Sequence, residues 1–269
     1  MVNESYLKIR DFGVIDDSKI NINKINVIGG VNSSGKTIMS KLLYCYLKSI
    51  NGHDLIELMN SEDISNSRKN NIEVNIESYS DVFYLESISM LDLIDLKFMK
   101  SDHIKHIMDC LEVDNSNVSN EIITKIKDII KTDCSNLSSA GIKQIGVIQI
   151  LLENGSLKEN SFLIIDEPES NLHPDWQIKF AEILILLTKE LDITLYLNSY
   201  SPIFIEAISL YAQFYGLLDK TSVYLTKKTD NGKFNFKKIN PKNMGEVYEN
   251  LTKPYDMLDK LKAQILFKE

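Results

Sequence analysis

The segment GGVNSSGKT, residues 29–37, constrains this chain more than any other feature. It contains the complete pattern G-x-x-x-x-G-K-T, directly after the apolar run INVIG and directly before an amphipathic helical pattern. In this strand–loop–helix context, glycines let successive backbone N–H groups face phosphate oxygens, and the helix N-terminus adds partial positive charge. Lys36 is expected to reach the outer phosphates and Thr37 to ligate magnesium. The candidate phosphate-binding residues are Gly30, Asn32, Ser33, Ser34, Gly35, Lys36 and Thr37.

The segment FLIIDEPE, residues 162–169, supplies the acidic groups that such a loop needs. Its apolar residues predict a buried strand, and Asp166 follows at the carboxyl end, where a carboxylate can hold magnesium through water. Glu167 is the candidate general base, because a carboxylate there can take a proton from an attacking water. Two solvated acids at a strand end would explain this pair alone, but not its continuation as ESNLHP.

Strand and helix patterns alternate along most of the chain. Strand patterns occur at SYLKI, KININ, INVIG, IEVNI, DVFYLE, FLIID and ITLYLN, and helical patterns at residues 37–49, 141–153, 174–191 and 202–211. This alternation predicts an α/β fold with a mostly parallel sheet covered by helices on both faces. On the first helix, Lys41 and Lys48 are expected to face solvent.

Two regions depart from this alternation. Residues 87–136 contain short helical runs separated by polar breaks, too short for a coiled coil, and predict a small helical lobe. We therefore expect a core of residues 1–86 and 137–269 with the lobe inserted into it. Near the end of the core, SVYLTKK and KFNFKKI flank an Asn-Gly pair and predict a hairpin, which helical segments follow.

The composition of the chain limits the kinds of partner that it can bind. The 269 residues include 30 Lys and Arg against 38 Asp and Glu, a formal net charge of −8, which disfavours a broad nucleic-acid footprint. Lysines and aromatic residues interleave in KKTDNGKFNFKK, so either a local nucleic-acid contact or an ordinary amphipathic strand fits that segment. No apolar run reaches the roughly 18 residues that cross a bilayer. The charged start does not resemble a signal peptide, and we expect a cytoplasmic protein without a membrane partner.

The cysteine and histidine patterns are weaker. Cys45, Cys110 and Cys134 are widely spaced and form no CxxC pair, so neither a disulfide framework nor a zinc site is indicated. His103 and His106 are three residues apart on a predicted helix, a spacing that would suit a metal. No third or fourth ligand is evident near them in sequence, and we expect both histidines to lie at the surface.

With these motifs the chain resembles the ABC-type ATPases, and more closely the stand-alone AAA branch related to OLD nucleases and SMC chromosome proteins. In that branch a DEPE-x-x-LHP segment follows the acidic strand. Here it reads DEPESNLHP, which aligns His173 with the dimer-contact loop. The resemblance implies a P-loop NTPase of ABC-ATPase type, with the lobe between the Walker A and Walker B segments. It also implies ATP and Mg²⁺ as cofactors and a homodimer closed around nucleotide.

Two further segments resemble family motifs. NLSSAGIKQ, residues 136–144, resembles the signature segment that reaches the γ-phosphate held by the opposite subunit, with Ser139 and Gly141 at the best-matching positions. A capped helix start would also explain it. DVFYLES stands where the family has a glutamine loop but contains no Gln. Glu86 is therefore the candidate contact to magnesium or its water, and a solvated acid at a strand edge is the alternative.

The segment NSYSPIFIEA departs from the family at one position. The family carries a switch histidine before Ser-Pro, and this chain has Tyr200 there. A tyrosine hydroxyl can donate a hydrogen bond but cannot become cationic near neutral pH as an imidazole can. We expect the change to slow hydrolysis more than it weakens nucleotide binding, with Tyr200 and Glu167 as the catalytic candidates.

The resemblance implies an ATP-hydrolysing switch protein that dimerises around nucleotide. Relatives of this size suggest the ATPase component of a bacterial anti-phage defence or toxin-linked system, acting on a separate effector protein. Two alternatives stay open. One is an ATP-sensing scaffold with little hydrolysis, and the other is a DNA-repair accessory ATPase of RecF or SMC type, whose turnover DNA would stimulate in a salt-dependent way.

Overall fold

A computed structural model describes residues 4–62, 64, 71–86, 102–111, 124–126, 128–129 and 140–266. Most of the predicted lobe, and Ser139 with it, lies outside the described residues. The described strands are β1 (Tyr6–Ile9), β2 (Ser18–Asn21), β3 (Ile25–Gly29), β4 (Ile72–Asn75), β5 (Val82–Leu85), β6 (Phe162–Asp166), β7 (Thr194–Ser199), β8 (Thr221–Lys228) and β9 (Phe234–Ile239). The helices are α1 (Lys36–Ile50), α2 (Leu55–Ser61), α3 (Asp102–Leu111), α4 (Ala140–Glu153), α5 (Pro174–Leu191), α6 (Pro202–Phe214), α7 (Gly245–Leu251) and α8 (Lys253–Leu266).

A six-stranded sheet in the order β5-β6-β7-β3-β8-β9 forms the centre of the protein. Its first five strands are parallel, and β9 pairs antiparallel with β8 as the predicted hairpin. The mostly parallel sheet is therefore confirmed. A second sheet, in the order β2-β1-β4, is antiparallel throughout and was not foreseen as a separate layer.

Two apolar clusters cover the two faces of the central sheet. Neighbouring residues of one strand belong to different clusters: Val27 packs with α4, α5 and α6, and Ile28 packs with α1 and the small sheet. Burial on both faces explains why β3, β6 and β7 are apolar or buried along their whole length. The parallel arrangement brings Gly29, Asp166 and Ser199 to the same edge of the sheet, because Gly29 pairs with Ser199 and Asp166 pairs with Asn198, the preceding residue of β7.

Three local expectations need correction. Helix α2 was not predicted, although Asp54 caps it by accepting hydrogen bonds from the amides of Ile56 and Glu57 at 2.8 and 2.9 Å. Helix α6 continues to Phe214, beyond the predicted end at residue 211. Lys48 is not solvated but 4% exposed, since its ammonium pairs with Asp81 at 3.0 Å.

Among the described helices, none is both long enough and apolar enough to cross a membrane. The described cysteines, Cys45 and Cys110, are free thiols. Cys134 lies outside the described residues.

We predict that Leu197→Ala, in the middle of the central sheet, lowers the free energy of unfolding by about 2–5 kcal/mol, because Leu197 is fully buried and truncation leaves a cavity. The matched control is Leu210→Ala on α6, where the side chain is 59% exposed and the change should stay within about 0.5 kcal/mol. Urea unfolding followed by circular dichroism measures both values. Equal losses in the two variants would contradict the position of β7 in the core.

Candidate functional site

The loop between β3 and α1 requires glycine at two positions. A Cβ atom on Gly30 would stand 1.9 Å from the Thr226 hydroxyl oxygen of β8. Gly35 has φ of +94° at the N-cap of α1, and a Cβ there would stand 2.6 Å from Ile15. Any other residue would displace the loop from the sheet or strain its backbone. The loop therefore keeps its amides at the start of α1, as the motif predicts.

Lys36 folds back over this loop. Its ammonium donates to the carbonyl oxygens of Gly30 at 2.9 Å and Val31 at 3.0 Å. The same ammonium lies 3.6 Å from the centre of the Tyr200 ring, a cation–π contact. Ser34 steadies the loop by donating from its hydroxyl to the carbonyl of Val31 at 2.8 Å. The lysine and the tyrosine at the switch position thus share one site.

Burial lowers the pKa of Lys36 from its usual value near 10.5 to about 8. The carboxylates of Asp166, Glu167 and Glu169 oppose this shift without cancelling it. An anion next to this amine would raise its pKa again and favour the charged form.

Asp166 lies at the end of β6 and is 5% exposed. Its carboxylate accepts hydrogen bonds from the Asn198 amide at 2.6 Å and from the Tyr84 hydroxyl at 3.3 Å. Asn198 also donates to the Ser40 hydroxyl of α1 at 2.7 Å, which ties β7 to the helix behind the loop. Burial raises the pKa of Asp166, while hydrogen bonds from Thr37 and Asn198 act in the opposite direction. Asp166 and Thr37 therefore meet, as the sequence predicts for two magnesium ligands.

Glu167 follows Asp166 in a left-handed backbone conformation, with φ of +54°. Such a conformation is strained in a residue other than glycine and is common at functional sites. The Glu167 amide donates to the Asn198 carbonyl at 2.9 Å, and Ser170 donates its hydroxyl to the Glu167 carboxylate at 2.9 Å. Burial, followed by the charges of Glu167 and Asp166, raises the pKa of Tyr200. The acidic pair and the tyrosine are thus neighbours.

A cavity of about 220 Å³ opens in front of the loop. Its lining comprises Val14, Ser33, Ser34, Gly35, Lys36, Thr37, Ile38 and Tyr200. Asn32 lies beside this lining and is exposed. Five of the seven predicted phosphate-binding residues therefore line one cavity together with the switch tyrosine.

Three further predicted site residues are Glu86, Gly141 and Ser139. Glu86 is half-buried, pairs with Lys41 at 3.1 Å and accepts a hydrogen bond from the Tyr84 hydroxyl at 3.2 Å. Because the same hydroxyl reaches Asp166, one side chain separates Glu86 from the acidic strand end. Gly141 lies in the first turn of α4. Ser139 is outside the described residues.

Sequence reasoning missed Glu169 as a site residue. Its side chain is 9% exposed, and Oε1 accepts hydrogen bonds from the backbone amides of Tyr200 at 2.6 Å and Ser201 at 3.1 Å. Burial raises the pKa of this carboxyl group, and the amide hydrogen bonds oppose the shift. The second glutamate of DEPE was visible in the sequence, but its hydrogen-bond partners are backbone amides, and no sequence pattern identifies such partners.

Surface placement of the two histidines was wrong. His103 is 1% exposed, with its Nδ1 2.7 Å from both carboxylate oxygens of Glu62. His106 is partly buried, with Nε2 3.2 Å from Asp81. Both partners are distant in sequence, so the helical pattern alone could not reveal them. His173 is exposed and caps α5, accepting a hydrogen bond from the Asp175 amide at 3.5 Å.

A family model described as "AAA domain, putative AbiEii toxin, Type IV TA system" matches residues 46–205, more than half of the chain. No curated protein sequence matches the chain.

Solved structures are similar in fold. The ADP conformation of MJ1267, an ATP-binding cassette of an ABC transporter, has a TM-score of 0.50 at 12% identity, over 95% of this chain and 97% of that one. The SMC head domain from Thermotoga maritima has a TM-score of 0.49 at 14% identity, over 88% and 98%. A chain in the complex of archaeal ribosomal stalk protein aP1 and ribosome recycling factor aABCE1 gives 0.47 at 14% identity, and the match covers 88% of this chain but only 43% of that one. Together with the mostly parallel central sheet, the match to MJ1267 confirms the predicted fold class.

The pKa of Lys36 leads to a pH prediction. Because the amine titrates at about 8, affinity for a nucleoside triphosphate should be level below that pH and fall by about tenfold per unit above it, where binding must first protonate the amine. Calorimetry between about pH 7.5 and 9.5, in two buffers of different ionisation enthalpy, measures affinity and proton uptake. Lys36→Arg is the control, since its guanidinium stays charged and its affinity should not follow this curve. Level affinity without proton uptake in the unaltered protein would contradict the shift.

Proposed function

The chain belongs to the AAA-domain family of the AbiEii and type IV toxin–antitoxin description, a family of P-loop ATPases, and on this premise we propose that it is a magnesium-dependent ATPase that switches by dimerising around ATP. The observation that carries the proposal is that Lys36 and Tyr200 line one cavity, while the buried carboxylate of Asp166 is close enough to act on the charge of the Lys36 ammonium. The triphosphate enters this cavity, and its oxygens replace the loop carbonyls and the tyrosine ring as the partners of the Lys36 ammonium. Backbone amides from Gly30 to Thr37 receive the phosphate oxygens.

The residues at the strand end fit a magnesium ion. Mg²⁺ prefers oxygen ligands, and Thr37 and Asp166 supply a hydroxyl and a carboxylate that are already within hydrogen-bonding reach of each other. Glu86 is a further carboxylate, linked to Asp166 through the Tyr84 hydroxyl. When bound, the ion would neutralise charge on the phosphates and orient them.

Glu167 is the proposed general base. Its left-handed backbone turns the residue out of the strand that buries Asp166, and Ser170 holds the carboxylate in place. From there the carboxylate takes a proton from the attacking water. Tyr200 contacts the γ-phosphate as a neutral donor, because its pKa is raised further above neutrality. A neutral donor stabilises developing negative charge less than an imidazolium, which supports slow hydrolysis.

The proposed dimer pairs the loop of one subunit with the segment around Ser139 and Gly141 of the other, and exposed His173 lies at the contact. ATP then joins the subunits and hydrolysis releases them. The proposed domains are the core of residues 1–86 and 137–269 and the lobe of residues 87–136. A separate effector protein in an anti-phage or toxin-linked system is the proposed recipient of the switch.

Tyr200 also favours one alternative, an ATP-sensing scaffold with little hydrolysis. Nucleic acid has weaker support: Lys227 and Lys237 of the hairpin both pair with Glu246, at 3.3 and 3.2 Å, which reduces the charge available to phosphates. Stoichiometric release of phosphate would favour the scaffold, and salt-sensitive stimulation of turnover by DNA would favour the repair-type ATPase.

We predict that Glu167→Gln binds ATP but hydrolyses it at least about 100-fold more slowly, because the base is lost while the phosphate contacts remain. The variant should therefore elute as a dimer in gel filtration with ATP and magnesium. Lys36→Ala is the companion variant and should lose measurable ATP binding and the dimer together. A monomeric Glu167→Gln protein in saturating ATP would refute the nucleotide-bridged dimer.

We predict that Tyr200→His raises turnover by about tenfold or more, since a cationic donor to the γ-phosphate is worth about 1.5–3 kcal/mol. Tyr200→Phe is the matched control, which keeps the ring over Lys36 but removes the hydroxyl, and its turnover should not rise. Steady-state phosphate release measures both. A histidine variant slower than the unaltered protein would mean that tyrosine has a specific role in this site.

A further inference from the structure

Three side chains with different ligand atoms meet where α3 packs against β5. They are Asp81, directly before β5, and His106 and Cys110 on α3. One ligand atom from each lies within 4.8 Å of the others. In the described part of the chain, this is the one group of three His, Cys, Asp or Glu residues close enough to share an ion.

We propose that this cluster binds Zn²⁺ or a similar thiophilic divalent cation, independently of the nucleotide site. In a tetrahedral zinc site, oxygen and nitrogen ligands at about 2.0–2.2 Å lie about 3.3 Å apart, and nitrogen and sulfur ligands lie about 3.6 Å apart. The distance between Asp81 Oδ1 and His106 Nε2 is 3.2 Å. Cys110 Sγ lies 4.0 Å from either ring nitrogen of His106. The sulfur has to approach His106 Nε2 by about 0.4 Å, and the Asp81 oxygen, which lies within 4.8 Å, by up to about 1.2 Å.

The helix and its neighbours hold these ligands in position. His106 and Cys110 are four residues apart and therefore share one face of α3. The His106 ring stacks on Phe83 of β5, with centroids 5.2 Å apart and planes at 26°. The Cys110 carbonyl accepts a hydrogen bond from the Asn154 amide at 2.7 Å. Asp81, His106 and Cys110 are all partly exposed, so an ion from solvent can reach them and water can complete the coordination.

Lys48 stabilises the same carboxylate in the metal-free protein. Its ammonium lies 3.0 Å from Asp81 Oδ1, which shows that this position already accepts a cation. A bound metal would release Lys48 from Asp81, and Cys110 would bind as a thiolate with its proton passing to solvent. Zinc affinity is therefore reduced by this competition, compared with a site that has no resident ammonium.

The expected effect of the metal is to fasten α3 to β5. At the other end of β5, the Tyr84 hydroxyl contacts both Glu86, which follows the strand, and Asp166. The proposed cation site therefore lies at the opposite end of the strand from the acidic edge. It is a structural site that joins the first described helix of the predicted lobe to the core.

The test uses the full chain with Co²⁺ as the probe, in excess Mg²⁺ to occupy oxygen-rich sites. Thiolate-to-cobalt charge transfer gives a near-ultraviolet band, which we expect at one equivalent and expect Zn²⁺ to abolish. Cys110→Ser should remove the band, whereas Cys45→Ser and Cys134→Ser should retain it. No band in the unaltered protein, or a band that survives Cys110→Ser, overturns the proposal.

His106→Gln provides a second variant with a separate readout. Zinc calorimetry should show affinity at least about 10–100-fold weaker than in the unaltered protein. His173→Gln is the matched control, because His173 is exposed and distant in sequence, and it should bind zinc normally. Metal-free thermal melting checks that both variants fold. Equal zinc binding by folded His106→Gln protein would also overturn the proposal, whatever its ATPase activity.

Discussion

A carboxylate buried at the end of a central parallel strand is the constraint around which this structure is arranged. Asp166 is 5% exposed, and an uncompensated charge there would cost several kcal/mol. Compensation comes from three elements: Asn198 on β7, Tyr84 on β5 and Thr37 on α1. The strand order and the position of the helix after the loop are what allow these groups to converge. A divalent cation at the same place would complete the charge balance that hydrogen bonds alone begin.

The sequence predicted the central sheet well because its evidence is local. Strands β3, β6 and β7 are short apolar runs, each bounded by a loop or helix signal, and burial on both faces produces that pattern. The separate three-stranded sheet was not predicted, since pairing of β1 with β4 joins Tyr6 to Asn75 across a long sequence separation. Lys48 was placed in solvent for the same reason: its partner, Asp81, belongs to another element.

In the candidate site too, the sequence predicted residues of local motifs and missed residues whose partners are distant in sequence. Lys36, Thr37, Asp166 and Glu167 were predicted because a motif fixes their spacing, and Tyr200 was predicted from the Ser-Pro that follows it. Asn198 and Glu169 were missed, although they hold Asp166 and the Tyr200 backbone in place. Their contacts are to a carboxylate and to amides that no spacing rule links to them. A sequence motif identifies groups that face the ligand more readily than groups that position them.

Glu169 has a mechanical consequence. One carboxylate oxygen of Glu169 accepts hydrogen bonds from two successive amides, those of Tyr200 and Ser201. These bonds connect the turn after β6 to the start of the segment after β7. That turn also carries His173 on the outside of the protein, while Tyr200 covers the loop lysine on the inside. In the proposed dimer, a displacement of this turn by the partner subunit would be passed through the Glu169 carboxylate to the backbone of Tyr200, whose ring lies above Lys36.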